Sequence, residues 1–240
     1  MHKTPPEAAA FADALPPLIA GELERVEVFI CPPFTALGTL VERVAGSEIR
    51  VAAQNMHFED SGAFTGEVSP RMLAELGVDG AIVGHSERRR LFGETDEALK
   101  RKLPAALAAG LVPILCVGET LEQREAEDTE AVLRHQLETD LADLADDELD
   151  RVVIAYEPVW AIGTGHNATA EQAAEAIGFI RSLIENRSES AAASLRIVYG
   201  GSVNPENAAE VLAGDGIDGA LVGGASLDPG DFAAIVAACR

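Results

Sequence analysis

Short apolar runs rich in β-branched residues alternate with longer runs rich in Ala, Leu and Glu along the whole chain. Most of the short runs are apolar at every position, which is typical of strands covered on both faces in a parallel sheet. Seven strands are predicted: Val26–Cys31, Ile49–Asn55, Gly80–His85, Val112–Gly118, Arg151–Glu157, Leu195–Gly201 and Gly219–Gly224. No linker or low-complexity segment interrupts the repeat, so the pattern indicates one α/β domain over residues 1–240.

Helix starts are marked by residues that cap helices. Thr4 and Thr169, each followed three positions later by Glu or Gln, predict capping boxes. A capping residue directly before a proline predicts three further starts, at Ser69, Asn204 and Asp228. The pair Pro16-Pro17 predicts an early end to the first helix, because proline cannot continue the hydrogen-bond ladder.

Two architectures fit this alternation, a doubly wound open sheet and a closed (β/α)8 barrel. The stretch GTGHNA, Gly163–Ala168, matches a dinucleotide-binding fingerprint, but that motif requires its first glycine at the strand end. Here Pro158–Ile162 intervenes, which argues against the fingerprint. Polar or glycine residues follow many successive strands instead: Gln54, Asn55, His85, Glu119, Glu157, Ser202, Gly223 and Gly224. This spread favours the barrel, whose active site is built from several βα loops at one face.

Composition excludes several classes of partner. The formal charge of −22 disfavours nucleic acid and anionic membranes, since both need cationic patches. Cys31, Cys116 and Cys239 form no C-x-x-C pair, so neither a disulfide framework nor a thiolate metal site is predicted, and no cofactor is expected. The chain shows no targeting segment and no apolar run of about 18 residues, which predicts a soluble, cytoplasmic protein.

Two strand-end residues are candidates for acid–base chemistry. His85, in GHSERR, opens a short polar turn, where backbone N–H groups disfavour an imidazolium and favour a neutral, hydrogen-bonding ring. Glu157 ends a strand among apolar neighbours, an environment that suits a general base. Each residue taken singly also has a structural alternative. His85 could be a turn histidine bonded to its own backbone, and Glu157 could be paired with an arginine.

The segment after Glu157 has the composition of a lid. A stiff proline opens it, two glycines end it, and the chain's one tryptophan lies between them. Such a segment can close over a site and exclude water. The predicted lid residues are Pro158, Val159, Trp160, Ala161, Ile162, Thr164 and Gly165.

Paired glycines follow the last two predicted strands, in YGGSV at 199–203 and LVGGA at 221–225. Their backbone N–H groups can approach an anion closely, and the loops after the last two strands of a (β/α)8 barrel commonly bind phosphate. Ser202 lies beside the first pair. These residues predict a phosphate site, although paired glycines also serve tight turns.

Taken together, the motifs resemble the triosephosphate isomerase family, bacterial type, over nearly the whole chain. The matching segments are CPPFTAL, AQNMHFEDSGAFTGEVS, GHSERR, LCVGE, AYEPVWAIGTG, VYGGSV and LVGGAS. YEPVWAIGTG together with GHSERR is highly specific. The resemblance implies a TIM barrel that interconverts dihydroxyacetone phosphate and D-glyceraldehyde 3-phosphate, in glycolysis, gluconeogenesis and the pentose phosphate route, with no cofactor.

The resemblance also implies roles for individual residues. Glu157 would carry the proton between the substrate carbons, and His85 would polarise the carbonyl. The phosphate would be held by Gly163, Ser202, Gly223 and Gly224. Glu87, Arg88 and Cys116 would support the site, with a plain core thiol as the alternative for Cys116. The segment Glu59–Ser69 resembles the family's dimer loop, with Thr65 near its tip, and implies a homodimer.

One departure lies at the start of the chain. The family opens with a strand reading roughly Gly-Asn-Trp-Lys-Met, whose lysine is catalytic, and this sequence begins where that strand ends. Lys3 falls beyond the strand position. We therefore expect seven of the eight barrel strands, an N-terminally truncated domain and doubtful activity for the chain as written. Two alternatives stay open: an inactive or impaired scaffold of the same fold, and another phosphate-handling barrel enzyme. A Schiff-base aldolase is disfavoured because Lys3, Lys100 and Lys102 lie on no predicted strand.

Overall fold

The computed structural model describes residues 1–162 and 168–239. Within them, seven parallel strands follow one another in chain order across a single curled sheet. The strands are β1 (Phe29–Ile30), β2 (Arg50–Ala53), β3 (Gly80–Val83), β4 (Val112–Val117), β5 (Val153–Tyr156), β6 (Arg196–Tyr199) and β7 (Gly219–Ala220). All seven predicted strands are confirmed, each shorter than the apolar run that predicted it.

The register brings the carboxyl ends of the central strands to one edge. Val83 of β3 lies opposite Leu115 of β4, and Val117 of β4 lies opposite Tyr156 of β5. Tyr156 in turn pairs with Tyr199, the last residue of β6. The loops that follow β3 to β6 therefore start close together, as the barrel interpretation requires.

Helices cover the outer face of the sheet. They are α1 (Pro5–Ala14), α2 (Pro16–Ile19), α3 (Leu37–Val44), α4 (Pro70–Leu76), α5 (Ser86–Phe92), α6 (Asp96–Ala108), α7 (Leu121–Glu125), α8 (Thr129–Asp140), α9 (Ala170–Arg187), α10 (Glu189–Ser194), α11 (Ala208–Val211) and α12 (Pro229–Ala238). Short 3-10 turns lie at Phe34–Ala36, Asp146–Arg151, Val159–Ala161 and Gly224–Leu227. None of the described helices is both long and apolar enough to cross a membrane.

Four of the five predicted helix starts are confirmed. The Glu7 carboxylate accepts hydrogen bonds from the backbone N–H and the hydroxyl of Thr4, at 2.7 and 2.8 Å. Ser69, Thr169 and Asp228 each accept from a backbone N–H of the helix that follows. The double proline separates α1 from α2, also as predicted.

The helix predicted to start at Asn204 begins later in the chain than predicted. The side chain of Asn204 accepts from the backbone N–H groups of Glu206 and Asn207, at 2.9 and 3.1 Å. They match the cap bonds that Asp228 makes, and the Asn204 carbonyl accepts from the Ala208 N–H at 3.0 Å, so Asn204 caps the turn that leads into the helix. The helix begins only at Ala208.

The sheet has a packed layer on each face. One buried cluster fills the concave face with small and branched side chains: Ala52, Ile82, Ile114, Cys116 and Ala155. A much larger cluster lies between the sheet and the helices. Burial on both faces explains why the strands read as continuous apolar runs. Among the described residues, β1 and β7 are the two ends of the strand order, and the single, N-terminally truncated domain stays a prediction.

Candidate active site

His85 and Glu157 meet at the carboxyl edge of the sheet. Each follows its strand closely, His85 two residues after β3 and Glu157 directly after β5. The backbone N–H of Glu157 donates to the carbonyl of Val117 at 2.8 Å, which continues the β4–β5 ladder by one step. Because β4 lies between β3 and β5, the two side chains reach across its end, and His85 Nε2 lies 3.0 Å from Glu157 Oε1.

The hydrogen bonds around this pair assign the histidine tautomer. His85 Nδ1 accepts from the backbone N–H of Glu87 at 3.2 Å, so this nitrogen carries no proton. The proton of a neutral ring then lies on Nε2, the nitrogen that faces Glu157. The helix-start environment proposed from the sequence is thus the one observed, since His85 caps α5.

Glu157 is held as a buried carboxylate with few partners. It is 2% exposed, and its Oε2 accepts from the backbone N–H of Ser86 at 2.8 Å. Burial raises the pKa of Glu157 above its ordinary value, while His85, the Ser86 N–H and Arg89 act in the opposite direction. A raised pKa makes this carboxylate a stronger base, which suits proton abstraction near neutral pH.

Two glycines pack against Glu157: Gly118, which the sequence analysis did not assign to the site, and Gly200, which belongs to the glycine pair of the predicted phosphate loop. A Cβ on Gly118 would lie 1.7 Å from the backbone oxygen of Glu157, and a Cβ on Gly200 would lie 2.9 Å from its Cγ. Both distances are shorter than any normal contact, so only glycine fits at either position. The sequence shows that both glycines lie at the ends of predicted strands. It does not show that they contact Glu157.

The supporting roles expected for Glu87 and Arg88 stay predictions. Glu87 is exposed and contributes its backbone N–H, while Arg88 pairs with Glu94 at 3.2 Å. Arg89, which the sequence analysis did not single out, braces the turn. Its Nε donates to the Gly84 carbonyl at 2.8 Å, and its Nη2 donates to the Cys116 carbonyl at 3.2 Å.

Cys116 lies within β4 and is fully buried. Burial raises the pKa of its thiol well above the ordinary value, with the nearby Glu157 acting in the same direction. A thiol in such surroundings is unreactive at neutral pH. These observations favour the core-thiol alternative, with the Cys116 carbonyl as its link to the site.

The first part of the predicted lid is tied to β4 through Glu119. The indole N–H of Trp160 donates to Glu119 Oε1 at 2.9 Å, and the backbone N–H of Val159 donates to the Glu119 carbonyl at 3.1 Å. Glu119 is fully buried and also accepts from Tyr156 and Arg124. Trp160 is therefore packed beside the site in this conformation. Thr164 and Gly165 lie outside the described residues.

Comparison with known proteins agrees with this geometry. The family model for triosephosphate isomerase matches residues 1–239. Three relatives named triosephosphate isomerase, from Clostridium botulinum, Clostridium perfringens and Clostridium beijerinckii, are each 51% identical over 237 residues. Each match covers 98% of this chain and 95% of the relative. The chain belongs to the triosephosphate isomerase family.

The residues expected to hold phosphate in a triosephosphate isomerase are partly described. Gly223 and Gly224 follow β7, are exposed, and have open space where a side chain would project. Ser202 is exposed after β6, and its carbonyl accepts from Asn207 Nδ2 at 3.0 Å. No hydrogen bond among the described residues joins Ser202 to the two glycines, and Gly163 lies outside the described residues. Their role in phosphate binding stays a prediction.

The segment that resembles the triosephosphate isomerase dimer loop projects from the surface. Thr65 is exposed, and the loop is closed at its base by a bond from the His57 N–H to the Val68 carbonyl at 2.8 Å. Inside the loop, the His57 ring lies 4.3 Å from the ring of Phe64. The loop is therefore ordered within one chain while its tip stays accessible.

Proposed function

We propose that this protein is an isomerase that interconverts dihydroxyacetone phosphate and D-glyceraldehyde 3-phosphate through an enediolate, as a step of glycolysis. Membership of the triosephosphate isomerase family supports this assignment. The observation that carries the mechanism is the 3.0 Å pairing of Glu157 with a His85 ring whose Nδ1 is already occupied. A buried base and a neutral hydrogen-bond donor are the two groups that proton transfer beside a carbonyl requires.

The proposed reaction begins when Glu157 removes a proton from the substrate carbon next to the carbonyl. The electron pair of the broken C–H bond forms the enediol double bond, and the carbonyl oxygen becomes an oxyanion. His85 Nε2–H donates to that oxygen and stabilises its charge. His85 Nε2 then relays the proton of the adjacent hydroxyl to that oxygen, so the negative charge moves to the hydroxyl's own oxygen. Glu157 returns its proton to the former carbonyl carbon: the double-bond electrons form the new C–H bond, and the second oxyanion becomes the new carbonyl, without an external oxidant or reductant.

Glu157 needs a change of partners before it acts. In the described conformation both of its oxygens are engaged, one by His85 and one by the Ser86 N–H. Substrate entering between His85 and Glu157 would take over the histidine bond. Closure of the segment that contains Trp160 would then exclude water, which strengthens the electrostatic interactions and protects the enediolate from losing phosphate.

We further propose that the phosphate group is bound by Gly163, Ser202, Gly223 and Gly224. Exposed glycines with open space beside them allow a phosphate to approach their N–H groups. We also propose a cytoplasmic homodimer with roles in gluconeogenesis and the pentose phosphate route. Exposed apolar side chains support the dimer, including Phe64, next to Thr65 in the loop, at 43% and Phe92, on α5, at 69% exposure.

The test is Glu157→Gln, which keeps the size of the side chain and removes the base. We expect isomerase turnover to fall by about 10²–10⁴-fold, the usual contribution of one acid–base group. The matched control is Glu185→Gln, on the exposed face of α9, which should retain wild-type turnover. Exchange of solvent hydrogen into the substrate, followed by NMR, must disappear only in the first variant; its retention would exclude Glu157 as the base.

Nothing observed favours the alternative of an inactive scaffold. An isomerase assay of the wild-type protein and of Glu157→Gln distinguishes the enzyme from the inactive scaffold. Saturable isomerase activity that is lost in Glu157→Gln supports the enzyme, whereas a folded wild-type protein without turnover supports the scaffold.

A further inference from the structure

A buried charge cluster that the proposed reaction does not use lies behind the His85 turn. Asp140, the last residue of α8, is fully buried. Its Oδ2 accepts from Arg89 Nη2 at 3.0 Å, while its Oδ1 has no hydrogen-bond partner among the described residues. A buried carboxylate without full pairing costs stability, so its presence calls for a physical reason.

Arg89 connects this carboxylate to the site. Its guanidinium lies between Asp140 and Asp96, with which it also forms an ion pair. The same side chain donates to the carbonyls of Gly84 and Cys116. Gly84 directly precedes His85 and has φ +74°, and Cys116 lies next to the end of β4. Arg89 therefore joins the end of β3 to the end of β4, and Asp140 fixes the plane of its guanidinium.

We propose that Asp140 is a positioning residue for the isomerase reaction: through Arg89 it holds the turn that carries His85 against the end of β4. The inference rests on the proposed function for the identity of the reaction. The structural claim, that Asp140 sets the position of the His85 ring, does not depend on turnover.

The charges around Asp140 make its contact with Arg89 sensitive to pH. Arg89 faces Asp140 from α5, Asp96 faces it from α6, and exposed His135 on α8 lies 3.7 Å from Asp96. Burial raises the pKa of Asp140 to about 8, against the attraction of Arg89. The positive charge of Arg89 also lowers the pKa of Glu157. Ionisation of Asp140 compensates the Arg89 charge and so strengthens Glu157 as a base.

The experiment compares Asp140→Asn with Asp143→Asn in the whole protein. Asp143 lies three residues further on, is exposed and pairs only with Lys100 at 3.4 Å among the described residues, so its loss is a matched control. For Asp140→Asn we expect kcat to fall by roughly 10-fold above pH 8, where Asp140 is ionised, a loss below the ~100-fold that a 1 Å misplacement can cost. KM should stay close to the wild-type value, because the hydrogen bond of Asp140 among the described residues is with Arg89 and not with a predicted phosphate residue. The wild-type kcat profile should show a step near pH 8 that Asp140→Asn lacks.

A second measurement reads the His85 ring directly. In protein labelled with 15N-histidine, Asp140→Asn should shift the His85 ring resonances, and Asp143→Asn should leave them unchanged. Unchanged His85 resonances in folded Asp140→Asn, or a kcat loss that is the same at every pH, would overturn the proposal. If Asp140→Asn does not fold, Arg89→Lys is the second variant, because it keeps the positive charge and removes the guanidinium that donates to several acceptors at once. Wild-type kcat in Arg89→Lys would equally overturn the proposal.

These measurements also separate the two proposals. Absence of turnover in wild-type protein would contradict the proposed function alone, since the His85 resonances still report the position of the ring. Normal wild-type turnover with no response to Asp140→Asn would contradict the positioning role alone.

Discussion

Replacing Gly118 by alanine tests whether close packing at the end of β4 positions the base. The added Cβ would lie 1.7 Å from the Glu157 oxygen and 2.7 Å from its carbonyl carbon. Restoring a separation of 3.0 Å requires the backbone of Glu157 or β4 to move by about 1.3 Å. Gln136 restrains β4 at this end, because it bonds both the N–H and the carbonyl of Gly118, at 2.9 and 3.2 Å, and the Glu157 N–H is held by the Val117 carbonyl at 2.8 Å.

This displacement predicts two separate effects. Overpacking should lower the free energy of unfolding by about 1–3 kcal/mol. Moving the base by about 1 Å should lower kcat by up to ~100-fold. Urea denaturation measures the first effect, and an isomerase assay under saturating substrate measures the second.

The matched control is Gly178→Ala on α9. Gly178 is exposed within the helix, and an added Cβ would meet nothing within 4 Å. We expect this variant to gain about 0.5–1 kcal/mol of stability and to keep wild-type turnover. Wild-type kcat in folded Gly118→Ala would refute the argument that this contact positions Glu157.

Three further predictions concern the lid, the dimer and the response to pH. Trp160 is the only tryptophan of the chain, so binding of glycerol 3-phosphate should change its fluorescence as it leaves Glu119; constant emission at inhibitory concentrations would contradict closure. Phe92→Asp should shift sedimentation toward a monomer, whereas Leu18→Asp, also on the surface, should not; an unchanged dimer in the former would exclude this surface. Because the pKa of Asp140 is raised to about 8 in the folded protein, its contribution to stability is present at low pH and is lost as pH rises from about 4 to about 8. Thermal unfolding of Asp140→Asn should lack this decline, and an identical pH dependence in both proteins would contradict the assignment.

The sequence determined the class of fold and the chemistry of the site. Continuous apolar runs require burial on both faces, and their alternation with helical segments favours a parallel sheet with covering helices. Strand ends then place His85 and Glu157 at one edge, because carboxyl ends of parallel strands lie together. The helix caps at Thr4, Ser69 and Thr169 were also predictable, since their bonds form within one turn.

Other features depend on contacts between distant parts of the chain. At Asn204 the predicted cap bonds form, but a turn precedes the helix, whose first residue the sequence pattern alone does not decide. The strands are shorter than their apolar runs because a strand extends only as far as its neighbours provide hydrogen-bond partners.

Only the tertiary structure decided which residues hold the proposed catalytic pair, His85 and Glu157, in place. Gly118 fits against Glu157, 39 residues away by their numbers in the chain, and Arg89 pairs with Asp140 at a separation of 51 residues. No local pattern marks either contact, because a glycine at a strand end and an aspartate at a helix end are common on their own. Gly118 and Asp140 acquire their proposed roles only in the folded protein, where the register of β3, β4 and β5 brings distant segments together. At those distances one added Cβ or one charge is enough to change the position of Glu157 or His85.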